Sequence, residues 1–198
     1  AWSTFIKLAS SAASWSLTAW ITFCIVAGSV PVKRPVIIDV SFGSLPNKKS
    51  LNLANISSPG HTEIFSEHSE SNNVSMMLSN NSIKTVLVTL HCSMAEALKK
   101  INVEHEFKAI KNAYIGAKMF GIKDPIIAVA ALNPHAGEMG LFGNEEKVFI
   151  EPAIELAKEK GIDARGPFPG DTVVMNAKKG QYDIVVSQYH DQGLIPIK

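Results

Sequence analysis

Apolar and polar positions along this chain fall into two alternating regimes from residue 47 onward. Short runs that are apolar at nearly every position, IKTVLVTL over 83–90, IIAVAAL over 126–132 and YDIVVSQ over 182–188, are separated by longer stretches that read as helical. A strand without polar alternation is buried on both faces. Met94–Gly121 reads as one helix or two, with Gly121 as its stop. Asn144 is placed to cap a further helix, with Glu145 and Glu146 in the first turn, where the helix dipole favours carboxylates. That helix runs to Lys160, ends at Gly161, and carries Pro152 inside it, which should kink or split it. Ser66–Asn81 is rich in Ser and Asn and reads as a surface loop around Val74–Leu78. The whole pattern predicts an α/β fold: a parallel sheet covered by helices on both faces.

Residues 1–46 follow another pattern, which divides the chain into an atypical segment over 1–46 and an α/β core over 47–198. Between Lys7 and Lys33 lie 25 uncharged residues, Leu8 to Val32. They are numerous enough to span a bilayer. A secretory signal with Trp15–Ala27 as its apolar core is a second reading. The many Ser and Thr in the stretch favour a third, a segment of an ordinary globular protein. Val36-Ile37-Ile38 is a short strand candidate between prolines.

Composition narrows the partners. Of 198 residues, 46% are hydrophobic and 19% charged, and the net charge is +1. That is globular, and it lacks the basic excess that would draw the chain to nucleic acid or to an anionic membrane. Neither partner is expected. Cys24 and Cys92 are too far apart in sequence for a paired-cysteine metal or redox motif. Unpaired cysteines fit a reducing, cytoplasmic compartment. The chain starts at Ala1 and stops at Lys198 just after an apolar run, as a part of a longer protein would.

The candidate chemistry lies in three histidines. His91 follows the run 83–90, His135 follows 126–132 by two residues, and His190 follows 182–188 by one. Each sits at the carboxyl end of a predicted parallel strand, where ligand crevices of open α/β sheets form. Three imidazoles so placed suit Zn²⁺, Co²⁺ or Ni²⁺ and leave open positions for a substrate. The plainer reading has each histidine closing a strand or bonding a loop. His68 and His105 lack such a setting and read as surface residues. Asn133–Glu138, with Gly140 and Gly143, makes either a phosphate-cradling loop or simple turns. Asp171 and Asp191 orient an imidazole, ligate a metal, or serve as turn residues. The chain has no Walker motif, no GxGxxG after a strand and no nucleophile elbow.

On these same residues the chain resembles the 4-hydroxythreonine-4-phosphate dehydrogenase family of vitamin B6 biosynthesis. The matching pieces are NKKSLNLA (47–54), SPGHTE (58–63), VTLH (88–91), ALNPHAGE (131–138), FGNEE (142–146), GPFPGDT (166–172) and YHDQGLIPIK (189–198). The resemblance implies an α/β/α layered sheet of the isocitrate/isopropylmalate dehydrogenase-like type, here incomplete. It implies a homodimer with the site at the subunit interface. His91, His135 and His190 would bind a divalent metal (Zn, Mg or Co) with ligands from both subunits. His61 and Thr62 would contact the substrate, as would Lys198. Asp171, Asp191 and Lys198 would form the catalytic set. The implied reaction is oxidation of 4-phosphohydroxy-L-threonine by NAD followed by decarboxylation, with an Asp or Lys198 taking the hydroxyl proton. A threonate or erythronate 4-phosphate dehydrogenase is the alternative within the family. Residues 1–46 do not resemble the family's N-terminal region, and the family pattern continues past Lys198. A non-catalytic truncated relative is therefore the alternative outside it.

Overall fold

The computed structural model describes residues 73–198 in full and, before them, the backbone of the two strands over 21–26 and 36–41. Strand β1 is Ile21–Val26, β2 is Val36–Ser41, β3 is Val74–Ser79 and β4 is Lys84–Leu87. Helices α1 (Met94–Lys100) and α2 (Val103–Met119) follow, then β5 (Ile127–Ala130). Helix α3 (Glu151–Glu159), strand β6 (Ala164–Phe168), helix α4 (Gly170–Lys178), strand β7 (Ile184–Ser187) and helix α5 (His190–Leu194) complete the chain.

The strands form one sheet in the order β2-β1-β3-β4-β7-β5-β6. The parallel sheet read from the sequence holds for β4, β7, β5 and β6. The other half is antiparallel: β3 pairs with β4, β1 with β3 and β2 with β1. The β3–β4 pairing has its cause in a tight turn at Asn80. Its Oδ1 accepts the N–H groups of Ser82 and Ile83, both at 2.8 Å, and folds β4 back on β3. Of the uncharged stretch 8–32, residues 21–26 are strand. No helix among the described residues is long and apolar enough to cross a membrane.

The surface loop expected around Val74–Leu78 is instead strand β3, with Ser75 to Ser79 all buried. Serine misleads there because its hydroxyl can be satisfied inside. Asn112 on α2 donates from Nδ2 to Ser75 Oγ at 2.7 Å. Strand β6 was masked in the sequence by Gly166 and Pro167. It lies at the sheet edge, where a missing N–H breaks no ladder.

Alternate positions of each central strand serve opposite faces. Ile127 and Val129 of β5 join Val86, Ile184 and Val186 against Ala109, Ile110 and Ala113 of α2 and Ala153, Ile154 and Ala157 of α3. Ala128 and Ala130 point the other way, with Val185, against Val173 and Ala177 of α4. Met76, Leu78 and Leu87 meet Leu194 and Ile197 on that same side. Small residues on α2 let the helix approach the sheet closely, so the result is an α/β/α layered core.

The start at Met94 and the stop at Gly121 hold, whereas Asn144 is not the expected side-chain cap: Glu145 stands at the cap position of the turn Glu146–Ile150, with no side-chain hydrogen bond there. Met94–Gly121 is two helices. Ser93 and Glu96 close a capping box on the first, and Asn102 caps the second by accepting the His105 N–H at 2.9 Å. His105 is exposed, as expected, with Nδ1 2.6 Å from the Lys100 carbonyl oxygen. Pro152 does split its helix. It has no N–H to offer Val148, and the preceding turn, Glu146–Ile150, winds as a π turn in which the Glu151 N–H reaches the Glu146 carbonyl.

Candidate functional site

Parallel strands present their carboxyl ends on one edge, and β4, β7 and β5 are neighbours. The segments that follow them carry His91, His190 and His135, so the topology brings all three to that edge. The rings of His91 and His190 stand 5.7 Å apart, centroid to centroid. They line a hollow of about 570 Å³ together with Thr89, Leu90, Cys92, Ser93, Met94, Glu96, Ala97, Tyr189 and Asp191.

His190 is oriented by its neighbour. Its Nδ1 lies 2.7 Å from Asp191 Oδ1. A carboxylate only accepts, so Nδ1 carries the proton and Nε2 of the neutral ring keeps its lone pair for a ligand. Such a contact is the kind an orienting carboxylate makes. Glu96 adds an acidic wall; the Ser93 backbone N–H, then its hydroxyl, hold the Glu96 carboxyl below its ordinary range.

His135 is presented differently. Its side chain is 74% exposed, with Nδ1 3.5 Å from Glu138 Oε2 and its ring 6.0 Å from that of Phe142. It does not line the hollow of His91 and His190. Among the described residues of the single chain, no three His, Cys, Asp or Glu side chains stand close enough to hold one metal ion.

The loop bearing His135 is held in an unusual form. His135, Ala136, Glu138 and Met139 all have positive φ, from 43° to 56°, around Gly137 at 77°. Left-handed backbone costs about 1–2 kcal/mol for each such L-residue, so surrounding contacts must impose it. Glu146 anchors the segment that leads into the loop. Its Oε1 accepts the N–H groups of Leu132 (3.0 Å) and Asn133 (2.7 Å), and its Oε2 accepts Asn133 Nδ2 (3.0 Å). Glu145 Oε2 accepts the same amide at 2.8 Å. Its carboxyl is held low by its own backbone N–H and by Asn133. A Cβ on Gly137 would come within 2.7 Å of Glu146 Oε2, so only glycine fits beneath the loop. Lys147 Nζ closes the far side on the Met139 carbonyl at 2.8 Å. Gly140 and Gly143 line a second hollow of about 320 Å³ with Glu146, Lys147 and Glu151.

Asp171 lies in the first turn of α4, exposed, accepting the Thr172 N–H at 2.7 Å. A Cβ on Gly170 would come within 3.0 Å of Gln192 Nε2, so this turn lies against α5. Lys198 is exposed, its N–H bonded to the Leu194 carbonyl at the end of α5. Neither residue lines the hollow of His91 and His190. His61 and Thr62, with the matching pieces over 47–63, lie outside the described residues.

Sequence reasoning missed the polar groups beneath these loops. Glu146 passed as a helix-dipole residue, and Gln188 as the polar end of a strand. No local signal marks either residue, since Glu146 lies between Glu145 and Lys147 and Gln188 between Ser187 and Tyr189.

Comparison with known proteins places these motifs. The family model described as "Pyridoxal phosphate biosynthetic protein PdxA" matches residues 42–198. A 4-hydroxythreonine-4-phosphate dehydrogenase of Beijerinckia indica subsp. indica is 56% identical over 152 residues, covering 77% of this chain and 45% of that protein. A D-threonate 4-phosphate dehydrogenase of Pectobacterium atrosepticum is 43% identical, covering 77% and 47%. The crystal structure of 4-hydroxythreonine-4-phosphate dehydrogenase from Klebsiella pneumoniae superposes with a TM-score of 0.71 at 40% identity, covering 76% of this chain and 46% of that one. The chain thus spans about half the length of the relatives it matches.

Proposed function

Since the chain belongs to the PdxA family of pyridoxal phosphate biosynthetic proteins, we propose that it carries the metal- and substrate-binding half of an NAD-dependent dehydrogenase of 4-phosphohydroxy-L-threonine. The observation that supports this most is the His91–His190 pair, 5.7 Å apart, with Asp191 on Nδ1 of His190. Two neutral imidazoles, one already oriented by a carboxylate, are a donor set suited to Zn²⁺ or Co²⁺, and Mg²⁺ is a poorer match. The third donor is His135, brought in when two copies of the chain form a homodimer. When bound, the divalent cation would supply Lewis acidity for oxidation and decarboxylation, and NAD would supply the redox chemistry.

The chain's own residues do the rest. Asp191 keeps His190 in one tautomer and one orientation. Glu146 holds the loop of His135 in its left-handed turn. Asp171, in the first turn of α4, and Lys198, beyond the end of α5, are the groups available to take the proton of the substrate hydroxyl, and Lys198 contacts the substrate, as do His61 and Thr62. The cytoplasm is the compartment that fits these cofactors.

The second reading is a D-threonate 4-phosphate dehydrogenase, favoured by relatives of that name at 43% identity. Purified protein assayed for NADH formation on each phosphorylated substrate separates the two. NADH formed on neither, with no metal held, returns the chain to the reading of a non-catalytic relative. His135→Ala should abolish stoichiometric zinc; unchanged zinc content would overturn the ligand assignment.

A further inference from the structure

Beneath the hollow, α2 sends a carboxyl group into the sheet. Glu106 is 0% exposed, and its Oε2 accepts Gln188 Nε2 at 3.3 Å. Gln188 is also 0% exposed and lies just past β7, two residues before His190. The same Nε2 donates to the carbonyl of Ala130, the last residue of β5, at 2.8 Å. The Gln188 carbonyl accepts Thr89 Oγ1 at 2.8 Å and the Thr89 N–H at 3.2 Å, two residues before His91. Its N–H donates to Gln192 Oε1 at 2.7 Å, and Gln192 Nε2 reaches the Ala131 carbonyl at 2.8 Å. One glutamine thus ties together the ends of β4, β5 and β7.

Two oxygens at this junction, Glu106 Oε1 and Gln188 Oε1, are buried without a hydrogen-bond partner among the described residues. An apolar side chain in place of Glu106 would fill similar volume without the penalty of burying a carboxyl group. It would also leave the Gln188 amide unopposed on the α2 side. A neutral carboxyl group has both a donor and an acceptor to offer an amide, so it can restrain that amide in orientation as well as position. Burial favours this neutral form, pushing Glu106 up to about 8.

We propose that Glu106 is a positioning residue: acting through Gln188, it sets the spacing and orientation of the strand ends that carry His91 and His190. The purpose of that spacing rests on the function proposed above, whereas the positioning itself is testable without metal or substrate.

The test compares Glu106→Leu, Glu106→Gln and Asn112→Ala in the full chain. Asn112 is buried on the same helix but bonds Asn73 and Ser75, away from these strand ends. The first readout is the ring resonances of His91 and His190 in metal-free protein at fixed pH. Glu106→Leu should displace both, Glu106→Gln should restore them, and Asn112→Ala should lower Tm without moving either. The second is cobalt titration followed by visible absorption, where Glu106→Leu should weaken binding about tenfold, the scale seen when groups supporting metal ligands are lost. Should Glu106→Leu fail to fold, Gln188→Met breaks the same contact from the strand side and is expected to move both rings. Rings that stay at wild-type positions in the leucine or methionine variant, or that move as far in Asn112→Ala, overturn the proposal. Cobalt that fails to bind the wild-type chain counts against the metal reading alone, because the ring resonances still decide the role of Glu106.

Discussion

At the scale of single residues, charge and proton placement decide what the strand ends can do. Asp191 accepts from His190 Nδ1 at 2.7 Å, so Asp191→Asn should weaken cobalt or zinc binding about tenfold in a metal titration while leaving Tm nearly unchanged. Glu106 makes a second prediction, with a definite sign. Its carboxyl group rises from the ordinary 4.5 to about 8 on folding, because burial disfavours the charge and, among the described residues, the neutral Gln188 amide is its one hydrogen-bond donor. Between those values the folded state holds a proton that the unfolded chain has released. Its stabilising contribution is full below pH 4.5 and is lost as pH rises through 8, by at most about 1.4 kcal/mol per pH unit. Urea midpoints measured across that window should fall with pH in the wild type, and Glu106→Gln should flatten the slope. Motif spacing made His91, His135, His190 and Asp191 visible in the sequence. Glu106 was not visible, because a glutamate in an amphipathic helix looks the same whether it faces water or the core.

Individual elements show how local rules were obeyed or overridden. The capping box at Ser93–Glu96 and the stop at Gly121, with φ at +86°, follow from residue types alone. The strand over 74–79 does not, since buried Ser75 is satisfied by Asn112, 37 positions away. The His135 loop is the clearest case of an element imposed from outside. Glu146 takes three hydrogen bonds from Leu132 and Asn133, two of them backbone N–H groups. Removing that carboxylate leaves donors unpaired at the start of a strained turn. Glu146→Ala should therefore cost about 2–4 kcal/mol, on the scale of losing several charge-assisted bonds. Amide exchange at Asn133 should accelerate first, while the amides of β4 stay protected; uniform acceleration would show global rather than local loss.

For the whole molecule, stability rests on the face where α2 and α3 cover β4, β5 and β7. Ile110 is fully buried there. Ile110→Ala should lower stability by about 2–5 kcal/mol in urea unfolding, more than any exposed substitution on the hollow's rim. The sequence by itself determined the central α/β pattern, the helix start at Met94, the glycine stops at Gly121 and Gly161 and the set of histidines at strand ends, because apolar runs, caps and glycine stops act over a few neighbouring residues. Only the tertiary structure decided that half of the sheet runs antiparallel, that His91 and His190 share one hollow while His135 faces outward in the single chain, and that Glu106 and Gln188 meet under the edge. Those outcomes depend on strand order and on contacts between residues far apart in sequence, 82 positions for Glu106 and Gln188 and 99 for Thr89 and Gln188, which no local rhythm of side chains encodes.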